Sequence, residues 1–294
     1  MRASFALTWP KAMTLPSYTE QGSGDVAVFL LHGVGGSHAA WAGNVPALAD
    51  AGYRCIAWDM PGYGQSQTLA PYTMDALAES LLALMAHVGA KRNVLLGHSM
   101  GGMVAQQAMA LQASKVDGAI LFATSAAFAP PAQPGQSAQD AAQGSDAFLR
   151  SRLAPLDAGL GMASLAGQLV SGMFSPNTAN RTALHQAVGM MANVPEATYR
   201  AALAALATFD QRANLARITV SLLCLAAELD KNAPPRVLEK MAADNARTNP
   251  NASYACLNGV GHLANMEQPE AFNACVLEFL QRHFQTSHPR PDTV

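Results

Sequence analysis

Charge is what this chain has least of. Asp, Glu, Lys and Arg together make up 13% of its residues, against roughly 25% in an average globular protein. The formal net charge is only −2, which leaves no electrostatic footprint for nucleic acid or for an acidic membrane surface. Cysteine is scarce too. Cys55, Cys224, Cys256 and Cys275 are far apart in sequence and none has metal-ligand spacing. Three fall in expected strands and one in an expected helix. They read as buried, reduced thiols suited to a reducing compartment, and a Cys55–Cys224 bridge is left open. No segment reaches the ~20 consecutive apolar residues that span a bilayer. Residues 1–11 lack the apolar run of a signal peptide, so the expectation is a cytoplasmic protein without a membrane segment. No metal, nucleotide or haem motif occurs, and no cofactor is expected.

What the chain does have is interior. Half of its 294 residues are hydrophobic, and it carries 23 glycines. The two meet in a repeating pattern in which a short apolar run stops at a glycine-rich turn. Residues 26–31 run into His32-Gly33-Val34-Gly35-Gly36, 54–58 into Asp59-Met60-Pro61-Gly62-Tyr63-Gly64, and 252–257 into Asn258-Gly259-Val260-Gly261-His262. Further apolar runs centre on 94–96, 119–122 and 218–226. Strands that are apolar throughout are buried on both faces, as in parallel sheets. Helical periodicity fills the gaps, at 44–51, 73–88, 234–245 and 269–284. The fold class is therefore α/β, a doubly wound, mostly parallel sheet with right-handed crossovers. Functional residues of such sheets collect at the C-terminal strand ends, where His32, Asp59, Ser99 and Thr124 stand.

The pattern changes between 125 and 210. Strand signals stop, and 148–152, 160–174, 178–191 and 195–209 read as helices rich in Ala, Met and Gly. The expected division is a core of 1–124 and 211–285, a helical cap of 125–210 inserted before the acid-bearing strand, and a polar, flexible tail of 286–294. A cap over the strand ends shapes the substrate pocket. Met103, Met162, Met173, Met190 and Met191 are candidate pocket residues, and Arg150, Arg152, Arg181 and Arg200 read as surface cations of the cap, with a cationic pocket for a substrate carboxylate as the alternative.

The chemistry centres on Gly97-His98-Ser99-Met100-Gly101-Gly102, a Gly-x-Ser-x-Gly turn between an apolar strand and a helical run. The turn is so tight that the serine backbone is strained and its Oγ stands above the sheet. Asp230 and His262 follow later strands, giving the chain order Ser, Asp, His. A serine hydroxyl needs a base, and the base needs a partner that fixes its tautomer. Ser99 is the candidate nucleophile, His262 the base, and Asp230 the orienting carboxylate, with Glu228 as its competitor. The N–H groups of Met100 and Val34 are the candidate oxyanion hole. His32 reads as a structural hydrogen-bonding residue, His98 as pointing away from the serine hydroxyl, and Asp59 as a brace for its turn.

Taken together, these motifs resemble the α/β-hydrolase superfamily over residues ~20–285. The stretch 262–273 is similar to small bacterial esterases, 3-oxoadipate enol-lactonases and meta-cleavage-product C–C hydrolases. His98 before the serine is commoner in esterases and lipases. A serine, rather than a carboxylate, at position 99 argues against epoxide and carbon–halogen opening. The resemblance implies a cofactor-free hydrolase of small apolar or aromatic esters or lactones, with no nucleic-acid or membrane partner. A C–C hydrolase, which would need such a cationic pocket, or an enol-lactonase is the alternative, and a ligand receptor on the same scaffold is a third reading. An acyltransferase or haloperoxidase-like side activity is compatible with the same triad.

Overall fold

The structure, a computed structural model, describes residues 14–128 and 138–286. In chain order its elements are β1 (Tyr18–Gln21), β2 (Val26–Leu31), α1 (Val45–Asp50), β3 (Arg54–Trp58), α2 (Met74–Val88), β4 (Arg92–His98), α3 (Met100–Gln112) and β5 (Gly118–Phe122). There follow α4 (Ala138–Asp157), α5 (Gly161–Leu169), α6 (Arg181–Ala192), α7 (Glu196–Ala207) and α8 (Arg212–Leu215). The chain closes with β6 (Ser221–Ala227), α9 (Pro235–Ala246), β7 (Ala252–Leu257), α10 (Ala264–Glu267) and α11 (Pro269–His283).

The described strands form a seven-stranded sheet in the order β1-β3-β2-β4-β5-β6-β7. Only β1 is antiparallel; it pairs with β3 at the edge. The central strand β2 shows why its sequence is apolar at every position. All six of its residues are buried. Ala27, Phe29 and Leu31 project to one face, against Leu77, Leu81 and Leu84 of α2 and Val104 and Ala108 of α3. Val26, Val28 and Leu30 project to the other, against Leu48 of α1 and Phe272, Val276 and Leu280 of α11. Each fully buried Val, Leu or Phe contributes about 1.5–3 kcal/mol. The doubly wound sheet expected from the alternation of apolar runs and helices is the sheet observed.

Local signals set the helix ends. The Thr73 side chain accepts the Ala76 N–H and so caps α2, and Gly89, at φ 61°, turns the chain out of it. The cysteines are free. Cys55 faces one side of the sheet and Cys224 the other, which excludes the bridge that the sequence left open. Burial pushes both thiols up to about 12.

Helices α4 to α7 are inserted between β5 and β6. The chain leaves and re-enters through a neck, where Ala127 pairs antiparallel with Asp210. Phe128 N donates to Phe209 O at 3.0 Å and Gln211 N to Ala126 O at 2.7 Å. One helix differs from its sequence reading. The stretch expected at 148–152 is a helix of 20 residues with Pro155 inside its last turn. Its polar first half carries no apolar period, and a proline normally marks an end, so periodicity under-read it. Residues 287–294 of the expected tail lie outside the described residues.

Candidate active site

The parallel register brings the C-terminal ends of β4, β5 and β6 level, with His98 beside Phe122 and Phe122 beside Leu225. Ser99 follows β4 directly. Its backbone sits at φ 52°, ψ −120°, a conformation that costs a non-glycine residue about 1–3 kcal/mol and persists only where the surroundings impose it. Here the imposing parts are visible. Ser99 N donates to Phe122 O at 3.0 Å, and Thr124 Oγ1 donates to Ser99 O at 2.7 Å. The flanking glycines are sterically required. A Cβ on Gly97 would lie 2.5 Å from the Gly102 Cα, and one on Gly101 would lie 2.2 Å from the Leu31 carbonyl oxygen.

Asp230 follows β6 and His262 follows β7, and both are buried. His262 Nδ1 donates to Asp230 Oδ2 at 2.7 Å. The other carboxylate oxygen, Oδ1, accepts the N–H groups of Asn232 (2.8 Å) and Ala233 (3.0 Å). This arrangement fixes the carboxylate, the Nδ1–H tautomer and a lone pair on Nε2. Glu228 is not at this position. It is exposed and accepts the Gly259 N–H at 2.7 Å, so it braces the last glycine turn.

Both neighbouring histidines are held neutral. His98 Nε2 donates to the His262 carbonyl at 2.9 Å, and the two rings lie against each other, tilted by 55°, with centroids 4.7 Å apart. Burial, then the facing His262, hold His98 well below the ordinary imidazole range. His32 Nδ1 donates to Gly33 O (2.8 Å) while its Nε2 accepts Met60 N–H (2.9 Å), and burial pushes it down to about 4. Asp59 accepts the His38 N–H at 2.9 Å and the Ser17 hydroxyl at 3.3 Å, a bracing role.

The N–H groups of Val34 and Met100 donate to no protein acceptor among the described residues. Met100 opens α3, whose first N–H groups have no intrahelical partner. Val34 sits in a turn closed by Gly36 N to Gly33 O at 3.0 Å, and its carbonyl is pinned by the buried Tyr63 hydroxyl at 2.9 Å. Tyr63 was not singled out by sequence. Its signal was its place in the glycine turn after β3.

Ser99 and His262 line one cavity of about 380 Å³, walled largely by apolar groups such as Met103, Met191, Tyr199, Leu203 and Leu206. A second chamber of about 50 Å³ also touches Ser99 and His262, with Val170, Met173 and Met190 on its far side. Of the candidate methionines, Met103, Met173, Met190 and Met191 line these spaces. Met162 does not; it belongs to the core. Arg152 also lines the larger cavity, a correction to its reading as a surface cation. Arg200, by contrast, pairs with Asp157 and Glu196, and Arg150 and Arg181 are exposed.

A buried carboxylate that sequence reading passed over ties the inserted helices to the histidine loop. Glu267, 5% exposed, accepts the Gly261 N–H at 2.9 Å, the Ser175 N–H at 3.0 Å and the Ser175 hydroxyl. Leu263 N adds a bond to Met173 O at 3.2 Å. Replacing Glu267 by Gln turns an amide donor toward these donors. The variant is expected to lose about 1–3 kcal/mol of stability, the cost of unsatisfied buried polar groups, measured by urea denaturation.

The model of the alpha/beta hydrolase fold matches residues 26–269. The chain belongs to the alpha/beta hydrolase fold family. It is 31% identical over 265 residues to the dihydrolipoyllysine-residue acetyltransferase component of the acetoin cleaving system of Pseudomonas putida, covering 89% of this chain and 65% of that protein. The chain thus spans just under two thirds of that relative. A thermophilic esterase from Thermogutta terrifontis superposes with a TM-score of 0.76 at 27% identity, covering 91% of this chain and 93% of that one. The enol-lactonase of Burkholderia xenovorans LB400 superposes with a TM-score of 0.77 at 23% identity over 90% and 96%, a likeness of fold alone. The scaffold is thus a hydrolase scaffold, an alpha/beta hydrolase with helices inserted over its strand ends. Among the described residues, no helix is long and apolar enough to cross a membrane, and no group of three or more His, Cys, Asp or Glu is placed to hold a metal ion.

Proposed function

We propose that this alpha/beta hydrolase cleaves carboxylic esters or lactones through an acyl-serine intermediate. The reading is carried by one observation. The buried Asp230–His262 pair, at 2.7 Å, faces the same cavity as Ser99 on its strained turn. In this reading His262 Nε2 takes the Ser99 proton as Oγ attacks the carbonyl carbon. The oxyanion is held by the unpartnered N–H groups of Val34 and Met100. The imidazolium, stabilised by Asp230, protonates the leaving alcohol. Water activated by the same imidazole then frees the acid. The neutral His32 and His98 take no part in proton transfer, since His32 spends both ring nitrogens on backbone groups and His98 spends Nε2 on the His262 carbonyl. Two unequal chambers beside Ser99 suit an ester with one large and one small substituent. The esterase described for Thermogutta terrifontis supports the ester class.

A steady-state series of p-nitrophenyl esters from acetate to dodecanoate tests the proposal. Turnover is expected at about 1–1,000 per second, strongest for the chain lengths that fill the larger chamber. Absence of turnover by folded protein across the series overturns the ester reading and transfers the chemistry to enol-lactones or vinylogous diketones.

A further inference from the structure

The larger cavity is walled largely by apolar groups; its polar residues are those at the strand ends (Ser99, Thr124, Ser125, Asn232 and His262) and, on the inserted helices, Arg152 of α4 and Tyr199 of α7. Arg152 of α4 lines the cavity. Among the described residues no carboxylate lies within ion-pair distance of it. Its guanidinium makes one long polar contact among the described residues, to Asn232 Oδ1 at 3.4 Å. One of its faces stacks on the Phe148 ring, 4.9 Å from the centroid. That contact orients the planar group and leaves its edge donors unspent.

Beside it, Tyr199 of α7 also lines the cavity and is 2% exposed. Its hydroxyl has no hydrogen-bond partner among the described residues, whereas a buried tyrosine hydroxyl usually finds one. The Arg152 charge acts on this phenol, opposing the upward push of burial. Among the described residues, a guanidinium without a carboxylate partner and a buried hydroxyl without a hydrogen-bond partner therefore line the same, largely apolar chamber. A half-buried guanidinium with no carboxylate partner among the described residues has donors free for a ligand that brings negative charge.

We propose that the substrate carries a carboxylate at the end of its larger group, bound by the Arg152 guanidinium with the Tyr199 hydroxyl as second donor. The natural class is then a monoester or lactone derived from a dicarboxylic acid. The uncharged chain of such a substrate lies along Met103, Met191 and Leu203 while its ester carbonyl reaches Ser99. A planar carboxylate matches the fork of the guanidinium, and the Asn232 contact places the charge beside the turn that carries Asp230. This inference rests on the ester reading for its chemistry but makes a separate statement about selectivity.

The experiment compares mono-p-nitrophenyl adipate with the neutral p-nitrophenyl hexanoate, which has the same chain length. The wild-type enzyme is expected to prefer the charged ester by tenfold or more in kcat/KM, chiefly through KM. The preference should shrink as ionic strength rises. In Arg152→Met the charged-to-neutral ratio falls to one or below, and in Arg152→Lys it is partly kept. Arg150→Met removes the same charge from the exposed face of the same helix and retains the wild-type ratio. A wild-type ratio near one, or a ratio that Arg152→Met does not move, overturns the inference while leaving the ester reading intact. If no ester turns over, binding of monomethyl adipate and methyl hexanoate to Ser99→Ala, by calorimetry, decides the point without catalysis. Tenfold tighter binding of the anion, abolished in the Ser99→Ala/Arg152→Met double variant, supports the carboxylate site; equal binding rejects it.

Discussion

Ser99→Ala is expected to lower kcat/KM for p-nitrophenyl esters by on the order of a million-fold, the scale seen when the nucleophile of a serine triad is removed. The reason is the division of labour at the turn. In the proposed mechanism the N–H groups of Val34 and Met100 polarise a carbonyl whether or not Oγ is present, so the variant is expected to keep some advantage over water. It loses the covalent step altogether. The substitution is mild for the fold. Ser99 at φ 52° is held by its own backbone N–H and carbonyl, through Phe122 O and Thr124 Oγ1, and not by its hydroxyl. Ala123, at φ 47°, shows that the strand ends beside the elbow accept alanine in a left-handed conformation. Substrate affinity, measured by inhibition or calorimetry, should be retained. A loss of tenfold or less would place the nucleophile elsewhere.

Asp230→Asn is expected to cost about ten-thousand-fold in kcat, more than the loss of a single hydrogen bond. Asn keeps a carbonyl oxygen for the N–H groups of Asn232 and Ala233, which fixes its orientation. Its amide nitrogen then faces His262 Nδ1 where Oδ2 stood at 2.7 Å. An N–H opposite Nδ1 selects the imidazole tautomer with its proton on Nε2. In that tautomer the ring cannot accept the Ser99 proton. The imidazolium formed during attack also loses its counter-charge. Glu228→Gln is the matched control. Its carboxylate is spent on the Gly259 N–H, and a change of no more than a few-fold is expected. If Glu228→Gln cost as much as Asp230→Asn, the assignment of the acid would be reversed.

How far the chain discloses itself depends on the range of each interaction. Strands such as β2 and β3 were legible because burial on both faces demands an uninterrupted apolar run, and each run stops where a glycine turn begins. The elbow was legible because sterics act over two residues. Gly97 and Gly101 must lack side chains wherever Ser99 adopts its strained backbone, so the motif survives as a local pattern. Asp230 and His262 were legible by their places after β6 and β7. The rest required neighbours distant in sequence. Glu267 faces Ser175, 92 positions away, and Tyr63 reaches Val34, 29 positions away. Neither contact leaves a periodic trace. Sequence left Arg152 one of four cap arginines open to a surface or a pocket role, and only the fold of α4 turns it toward the cavity. The polar beginning of α4 was hidden for a related reason, since a helix without an apolar stripe carries no period to read.

The claim on which the account turns is that Ser99 becomes acylated. The most direct measurement is intact-mass and peptide mapping of the wild-type protein after reaction with diethyl p-nitrophenyl phosphate, which phosphorylates activated serines, with Ser99→Ala alongside. The expected result is one diethylphosphoryl group per chain on the peptide bearing Ser99, activity lost in proportion to labelling, and no label on the variant. Folded protein that turns over esters yet takes up no label at Ser99, or takes it up equally in Ser99→Ala, would contradict it.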